Sequence, residues 1–547
     1  MAMHGLMMRM PLMISSLIRH ADRFHGDTEI VSRSIEGPIH RYRWHDAHVR
    51  ARKLACALTR LGVRAGDRVA TLAWNGHRHL ELYYAISGMG AIVHTINPRL
   101  YHDQLAYIVN HADDTLLFFD LTFAPLVAKL ATECKGVKAW LAMTDRAHMP
   151  ADAPGALLCY EDLLDPESDD FEWPEFDENT ASGLCYTSGT TGPPKGVLFS
   201  HRSTVLHAFA SSLPDAKALS AQSVVLPIVP MFHVNAWGIP YSGPLVGAKL
   251  VFPGAALDGR SLYELFEGER VTTSAGVPTV WLGLVNYMKQ NGLRLSTLKM
   301  TTIGGAACPP TLLHTLQDDY RIRVMHAWGM TEMSPMGTTA TLKGKHLDRP
   351  ASERDEVSLK QGRPLYGVDM KIVDENGNAL QHDGEHAGNL LVRGPWIACG
   401  YYGDDSDPTV DGWFPTGDVA TIDADGYLRL TDRAKDVIKS GGEWISSIDL
   451  ENIAIGHPAV AEAAVIGVRH PKWDERPLLV VVRKPGADVT REALLDFYVG
   501  RTAKWWMPDD VAFVDALPHT ATGKLAKRVL REQFRDYVFA TDAKQPR

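Results

Sequence analysis

Eleven residues, Tyr186-Thr187-Ser188-Gly189-Thr190-Thr191-Gly192-Pro193-Pro194-Lys195-Gly196, hold three glycines, four Ser or Thr hydroxyls and one lysine. Glycine lets backbone N–H groups close on phosphate oxygens, hydroxyls donate hydrogen bonds, and Lys195 adds a point charge. This is the chemistry of a phosphate cradle. It is not a Walker A loop, where the lysine follows glycine and precedes Ser or Thr. Here Lys195 follows two prolines and precedes Gly196. A second run, Met325-His326-Ala327-Trp328-Gly329-Met330-Thr331-Glu332, offers a ring able to stack on a purine. Its hydroxyl and carboxylate suit a phosphate and the accompanying Mg²⁺. Taken alone, such a Trp and Glu are more commonly a core ring and a solvated acid.

Further loop positions add to the theme. Gly304-Gly305-Ala306-Ala307 is small enough for a planar ligand to lie on backbone, and Thr416-Gly417-Asp418 offers a carboxylate for a ribose diol. Arg433 and Lys435 place cations at a domain joint, and Pro518-His519-Thr520-Ala521-Thr522-Gly523-Lys524 sets a lysine on a Gly/Thr loop. Each alone reads as an ordinary turn. Their joint occurrence carries the signal.

The elements that must position these residues are legible as patterns. Ile14, Leu17, Ile18, Ala21 and Phe24 share one helical stripe, which predicts an opening amphipathic helix. Apolar runs at Arg68–Ala73, Ala91–Ile96, Thr115–Asp120, Val224–Leu226 and Lys249–Phe252 alternate with helical stretches such as Leu80–Gly88. That alternation predicts βαβ units and parallel sheet, with ligands at loops beyond the strand carboxyl ends. Arg321–Val324 reads as a strand leading into the Trp328 run. From about Gly362 the strands shorten, and turn signals (Glu375–Asn378, His382–Gly384, Asp423–Gly426) predict a small region of hairpins. Beyond Lys435 the pattern is mixed again, with strands at Ala463–Val468 and Leu478–Val482 and a helix at Arg491–Val499. The fold class is therefore α/β: a large N-terminal domain of parallel-sheet layers plus a small β region, then a small α+β C-terminal domain.

Composition sets outer limits. At 547 residues, 45% hydrophobic and 22% charged, the chain can bury several cores. A net charge of −9 without basic runs argues against nucleic acid as a partner. No stretch reaches the ~18 apolar residues of a membrane span. The apolar, Met-rich N-terminus is broken after Ile14 by Ser15, Ser16, Arg19 and His20 and carries no cleavage pattern, so a signal peptide is the weaker reading. Six scattered cysteines with no C-x-x-C pair suggest neither a zinc site nor a disulfide scaffold, and point to the cytoplasm.

In order and spacing, the chemical runs resemble the motifs of the adenylate-forming superfamily, which holds acyl-CoA synthetases, peptide-synthetase adenylation domains and firefly luciferase. The resemblance extends from about Leu12 to about Arg535. Val229–Trp237 and Lys435–Ser446 look like the fatty-acyl-CoA ligase branch, nearest to bacterial medium-chain fatty-acid and 3-methylmercaptopropionate CoA ligases.

The resemblance implies an adenylation domain over residues 1–431, a hinge at 432–437 and a mobile C-terminal domain over 438–547. It implies a carboxylic acid, ATP, Mg²⁺ and CoA as reactants, passing through an acyl adenylate. Lys524 would bridge the carboxylate and the α-phosphate. Thr187, Ser188, Gly189, Thr190, Thr191, Gly192 and Lys195 would hold the outer phosphates, with Thr331 on the α-phosphate and Glu332 and Thr187 at the metal. Gly305, Ala306, Ala307, His326, Ala327, Trp328, Gly329 and Met330 would line the nucleotide, and Asp418 and Arg433 its ribose. Lys435 would be the pivot, and Lys439, Gly441, Gly442, Glu443 and Trp444 would guide CoA. His233, Trp237, Val277, Gly305, Gly329 and Pro335 would shape the acid pocket, with His233 also counted among the catalytic residues beside Lys524, Thr331 and Glu332.

Short- to medium-chain acids are expected, with 3-methylthiopropionate as the alternative, since a thioether fills roughly the space of a methylene. A homodimer is expected at family level. Transfer to a carrier-protein pantetheine would need a separate partner, because no carrier motif follows Arg547. A phosphotransferase releasing ADP and a catalytically silent nucleotide binder are the readings from other classes.

Overall fold

The computed structural model describes residues 3–150, 157–187, 193–433, 435–440, 443–519 and 525–539, with Glu443 and Trp444 described by their backbone alone. Two largely parallel sheets carry the first lobe. One has seven strands in the order Leu157–Cys159, Ala139–Ala142, Asp114–Phe119, Arg68–Leu72, Ile92–Thr95, Ala181–Tyr186 and Gly196–Ser200. All neighbours run parallel except the last pair, an antiparallel hairpin. The residues between that pair are the Gly- and Thr-rich run.

The second sheet has nine strands, ordered Arg363–Pro364, Met336–Thr339, Arg323–Gly329, Met300–Ile303, Thr273–Gly276, Val224–Pro227, Lys249–Phe252, Glu29–Arg33 and Ile39–Arg43. Its interior pairs are parallel and its outermost ones antiparallel. Strands such as Ile92–Thr95 and Met300–Ile303 are buried along their whole length, as strands covered on both faces are, and they carry His94, Thr95, Thr301 and Thr302 inside with the apolar residues.

Helix Ile14–His25 buries Ile14, Leu17, Ile18 and Ala21 as its stripe predicts, but Phe24 is 61% exposed. At 3.6 residues per turn, ten positions carry Phe24 about 80° round from Ile14, to the edge of the stripe. There it lies beside His20 and Arg23 instead of the core. The strand expected at Arg321–Val324 also shifts. It runs from Arg323 to Gly329, so most of the Trp328 run is strand and not loop. Pairing explains the extension: Arg323–His326 lies parallel to Met300–Ile303, and Ala327–Gly329 then pairs antiparallel with Met336–Thr339.

Four antiparallel strands, Asp369–Val373, Gly388–Arg393, Phe414–Ile422 and Leu428–Arg433, form the expected hairpin region. Gly377 and Gly426 take positive φ at its turns. From Ile438 onward a separate sheet orders Glu443–Ile445, Ile438–Ser440, Asp474–Arg483 and Val460–His470, with Asp510–Phe513 parallel to Asp474–Arg483. Its faces alternate. Val465, Leu479 and Val481 pack on one core, while Ala464, Ile466, Leu478 and Val480 pack on another. The Ser446 hydroxyl donates to the Thr431 carbonyl (2.6 Å), and the Ser447 amide donates to Asp432 (2.9 Å), joining this sheet to the strand that ends at Arg433. Among the described residues, no helix is long and apolar enough to cross a membrane.

Asn75 ties the two large sheets together. Its Nδ2 donates to the carbonyls of Pro227 and Val229 (both 2.9 Å), and its Oδ1 accepts from the Met231 amide (2.6 Å), at 4% exposure. Asn75→Ala should leave three buried backbone groups unpaired and destabilise the first lobe by about 3 kcal/mol. A urea unfolding curve checks this; an unmoved midpoint would show that the clamp contributes nothing.

Candidate active site

The phosphate-type loop springs from a fixed root. Tyr186 pairs with Gly196 across the hairpin, the Thr187 amide donates to the Lys195 carbonyl (2.9 Å), and the Tyr402 amide donates to the Gly196 carbonyl (2.8 Å). A Cβ on Gly196 would lie 3.1 Å from Tyr402 and 3.2 Å from the Tyr186 ring, so the root is closed to larger residues. Behind it, the Tyr186 hydroxyl and His111 Nδ1 share a 2.7 Å hydrogen bond. Lys195 is exposed at the end of the loop. Ser188, Gly189, Thr190, Thr191 and Gly192 lie outside the described residues.

The second wall is the turn after strand Arg323–Gly329. Gly329 permits it: a Cβ there would sit 1.8 Å from the Pro335 carbonyl oxygen, which accepts the Met330 amide (3.1 Å). Thr331–Met333 forms one 3₁₀ turn that places Glu332 inward at 7% exposure. Burial raises its carboxyl pKa, opposed by the Tyr401 hydroxyl, which donates to Oε1 (2.9 Å), and by the charge of Arg433.

Asp418 lies in strand Phe414–Ile422 at 3% exposure. It accepts the indole N–H of Trp328 (2.9 Å) and pairs with Arg433 Nε (2.8 Å). Trp328 is therefore anchored to the acid expected to grip a ribose. Gly304–Ala307 follows strand Met300–Ile303, with Ala306 exposed and Gly305 at φ +77°. His326 sits behind this loop, accepting the Cys308 amide at Nε2 (3.3 Å), with Nδ1 2.9 Å from the Leu359 carbonyl. Its buried ring braces the loop, and Ala327 is buried beside it.

The segment after His233 is strained. Val234, Asn235, Ala236 and Trp237 have φ of +37°, +58°, +46° and +54°, and Gly238 follows at +79°. Four consecutive non-glycine residues in the left-handed region cost about 1–2 kcal/mol each. The Tyr83 hydroxyl holds the turn, lying 2.6 Å from the Met231 carbonyl and 3.0 Å from Asn235 Oδ1, while His207 packs beneath Gly238. Trp237, 6% exposed, lies flush against Gly304: a Cβ there would be 3.2 Å from the indole and 2.9 Å from the Ala327 carbonyl. Val277 caps helix Pro278–Asn291, and Pro335 is buried next to Met336.

At the joint, Lys435 is exposed, Lys439 lies 3.4 Å from Glu375, and the backbones of Glu443 and Trp444 pair with Ser440 and Lys439. A cavity of about 440 Å³ opens where the lobes meet, lined by Ala307, Cys308, Lys360, Arg429, Asn452 and Trp506 among others. Gly441, Gly442 and Lys524 lie outside the described residues.

Sequence reasoning missed Tyr401, His111 and Tyr402, which tie the first wall to the second. The only signal was an aromatic pair set between two glycines, Gly400-Tyr401-Tyr402-Gly403.

Residues 17–402 match the family of AMP-binding enzymes, and residues 449–524 match the AMP-binding enzyme C-terminal domain. The chain is 54% identical over 535 residues to a 3-methylmercaptopropionyl-CoA ligase of Ruegeria lacuscaerulensis, covering 98% of this chain and 99% of the relative. It is 49% identical over 543 residues to a medium-chain-fatty-acid–CoA ligase of Ectopseudomonas oleovorans, covering 99% of each. The solved anthranilate CoA ligase AuaEII, in complex with anthranoyl-AMP, shares the fold with a TM-score of 0.84 at 24% identity, over 96% of this chain and 98% of its own.

Because Trp237 rests on Gly304, Gly304→Ala should displace the indole. Selectivity between a four-carbon and an eight-carbon acid should change by about 10-fold, the worth of a methylene or so in an apolar pocket. The KM for ATP should hold. Competition kinetics with paired acids test this, and an ATP defect with unchanged selectivity would contradict it.

Proposed function

The chain belongs to the AMP-binding enzyme family, and from that premise we propose how its own residues divide the work. It is an AMP-forming acyl-CoA ligase, joining a carboxylic acid to CoA at the expense of ATP through an acyl adenylate. In the first half-reaction a carboxylate attacks the α-phosphorus and pyrophosphate leaves. In the second, the CoA thiol attacks the acyl carbon and AMP leaves.

Both reactants of the first half are anions, so positioning and positive charge must lower the barrier. Thr187, Lys195 and the loop between them hold the outer phosphates. Thr331 meets the α-phosphate. Asp418, its orientation fixed by Trp328 and Arg433, accepts hydrogen bonds from the ribose. Lys524 places its ammonium between carboxylate and α-phosphate.

Mg²⁺ enters with ATP. Among the described residues no group of three or more His, Cys, Asp or Glu side chains could hold a metal by itself. Mg²⁺ carried by a nucleotide needs only one or two carboxylates besides the phosphates. The inward Glu332 meets that requirement, Thr187 would add a hydroxyl, and the ion would neutralise charge on the leaving pyrophosphate.

The second half requires the small lobe to turn. Lys435 is the pivot, exposed and next to Asp436, which Arg531 of the small lobe engages at 2.5 Å. Rotation withdraws Lys524 and brings Lys439, Gly441, Gly442, Glu443 and Trp444 to the acyl carbon, where they line the pantetheine path.

For the acid, 3-methylmercaptopropionate is the favoured substrate. The observation that carries it is identity of 54% across nearly the whole chain to a ligase of that name. A Trp237 ring closing on Gly304 suits a short apolar chain ending in a thioether. Short- to medium-chain fatty acids are the second reading, favoured by the 49% identical relative.

AMP release across acids from two to sixteen carbons, with 3-methylmercaptopropionate and an aromatic acid included, decides between them. Highest kcat/KM for the sulfur acid supports the first reading; an optimum at six to ten carbons would replace it with the second. Lys435→Pro should leave pyrophosphate exchange within about 3-fold and cut overall thioester formation by at least about 100-fold, as loss of a gated step would. Equal loss in both assays would end the pivot assignment.

A further inference from the structure

Lys195 and Glu332 reach the same space from different sheets. One closes the phosphate-loop hairpin and the other stands on the turn after strand Arg323–Gly329. A cation and an acid so placed could collapse onto each other as an ion pair and be lost to the nucleotide. The side chain of Tyr401 contacts both. The Lys195 ammonium lies 4.6 Å from the centroid of the Tyr401 ring, and the hydroxyl of that ring donates to Glu332 Oε1 at 2.9 Å.

The segment carrying Tyr401 is itself fixed to both walls. The Tyr402 amide donates to the Gly196 carbonyl (2.8 Å) and the Ala398 amide to the Glu332 carbonyl (2.8 Å). The Ser334 hydroxyl donates to the Trp396 carbonyl (3.0 Å), and the Trp396 indole to the Met336 carbonyl (3.2 Å). Tyr401 also packs edge-on against Phe414 with ring centroids 6.2 Å apart. Residues 396–402 thus form a strap between the two sheets, and Tyr401 is the member whose side chain touches both charged groups.

We propose that Tyr401 is a positioning residue that separates Lys195 from Glu332 and pre-sets both, its ring face holding the ammonium and its hydroxyl orienting the carboxylate. The inference rests on the reading that Lys195 meets the ATP phosphates and Glu332 the accompanying Mg²⁺. Its two contacts are chemically separable. Phenylalanine keeps the face and loses the hydroxyl; leucine loses both.

The test compares full-length wild type, Tyr401→Phe and Tyr401→Leu by calorimetric titration with ATP, with and without Mg²⁺. Metal-free ATP affinity should be within about 2-fold of wild type in the Phe variant and about 3-fold weaker in the Leu variant, the scale of an exposed cation–π contact. The gain in affinity on adding Mg²⁺ should shrink by about 10-fold in both, the scale of a hydrogen bond to a charged group. Thioester formation from supplied acyl adenylate should persist in both, which shows that the fold is intact. The inference is overturned if the Phe variant keeps the wild-type response to Mg²⁺, or if Phe and Leu weaken metal-free ATP binding equally. A wild-type enzyme that forms no adenylate at all would instead overturn the underlying reading, and this inference with it.

Discussion

A carboxylate and ATP repel each other, and a site that joins them must keep positive charge available without letting its own acids consume it. In a partly desolvated cleft that attraction is strong, so an uncommitted lysine beside an uncommitted glutamate would pair. The arrangement spares Lys195 by committing Asp418 and Glu332 to other partners, Asp418 by taking up the Arg433 charge. Asp418 is held by Trp328 and Arg433, and Glu332 accepts from the Tyr401 hydroxyl. Lys195 rests on an aromatic face, which attracts it without neutralising it.

Such placement demands a stiff frame. The loop and Glu332 follow strands of two buried sheets that Asn75 joins through three hydrogen bonds, and Asp418 lies within the adjoining antiparallel sheet. Where the chain must pass closely, glycine is required by contact: Gly329 faces the Pro335 carbonyl, and Gly304 faces Trp237. Where glycine is absent, strain is accepted. The left-handed run Val234–Trp237 is sustained by Tyr83, His207 and the surrounding core, and it seats the Trp237 indole against Gly304.

Much of this was legible in the sequence, for a physical reason. Phosphate recognition calls for residue types that ordinary turns seldom concentrate, so the Thr187–Lys195 loop stood out by itself, whereas Thr331-Glu332 and Asp418 drew notice only through their joint occurrence with it. The alternation of apolar runs with helical stretches likewise disclosed parallel sheet, because strands covered on both faces read as near-continuous apolar runs. What stayed hidden was long-range pairing. Trp328 taken alone reads more commonly as a core ring, and only the structure shows that Asp418, far along the chain, accepts its N–H. Tyr401 carried no chemical signature of its own, and its importance lies wholly in what stands on either side. The left-handed turn was invisible too, since Val, Ala and Trp carry no preference for that conformation and only tertiary contacts impose it.

The account's central claim is that the Lys524 ammonium offsets the repulsion of the first half-reaction and is then moved away for the second. The most direct measurement compares Lys524→Ala with wild type in the two halves separately: pyrophosphate exchange with acid and ATP, and thioester formation from supplied acyl adenylate and CoA. The account predicts a fall of at least about 100-fold in the first, the scale of losing a preorganised charge at a transition state, with the second retained. Wild-type exchange in the variant, or equal loss of both halves, would contradict it.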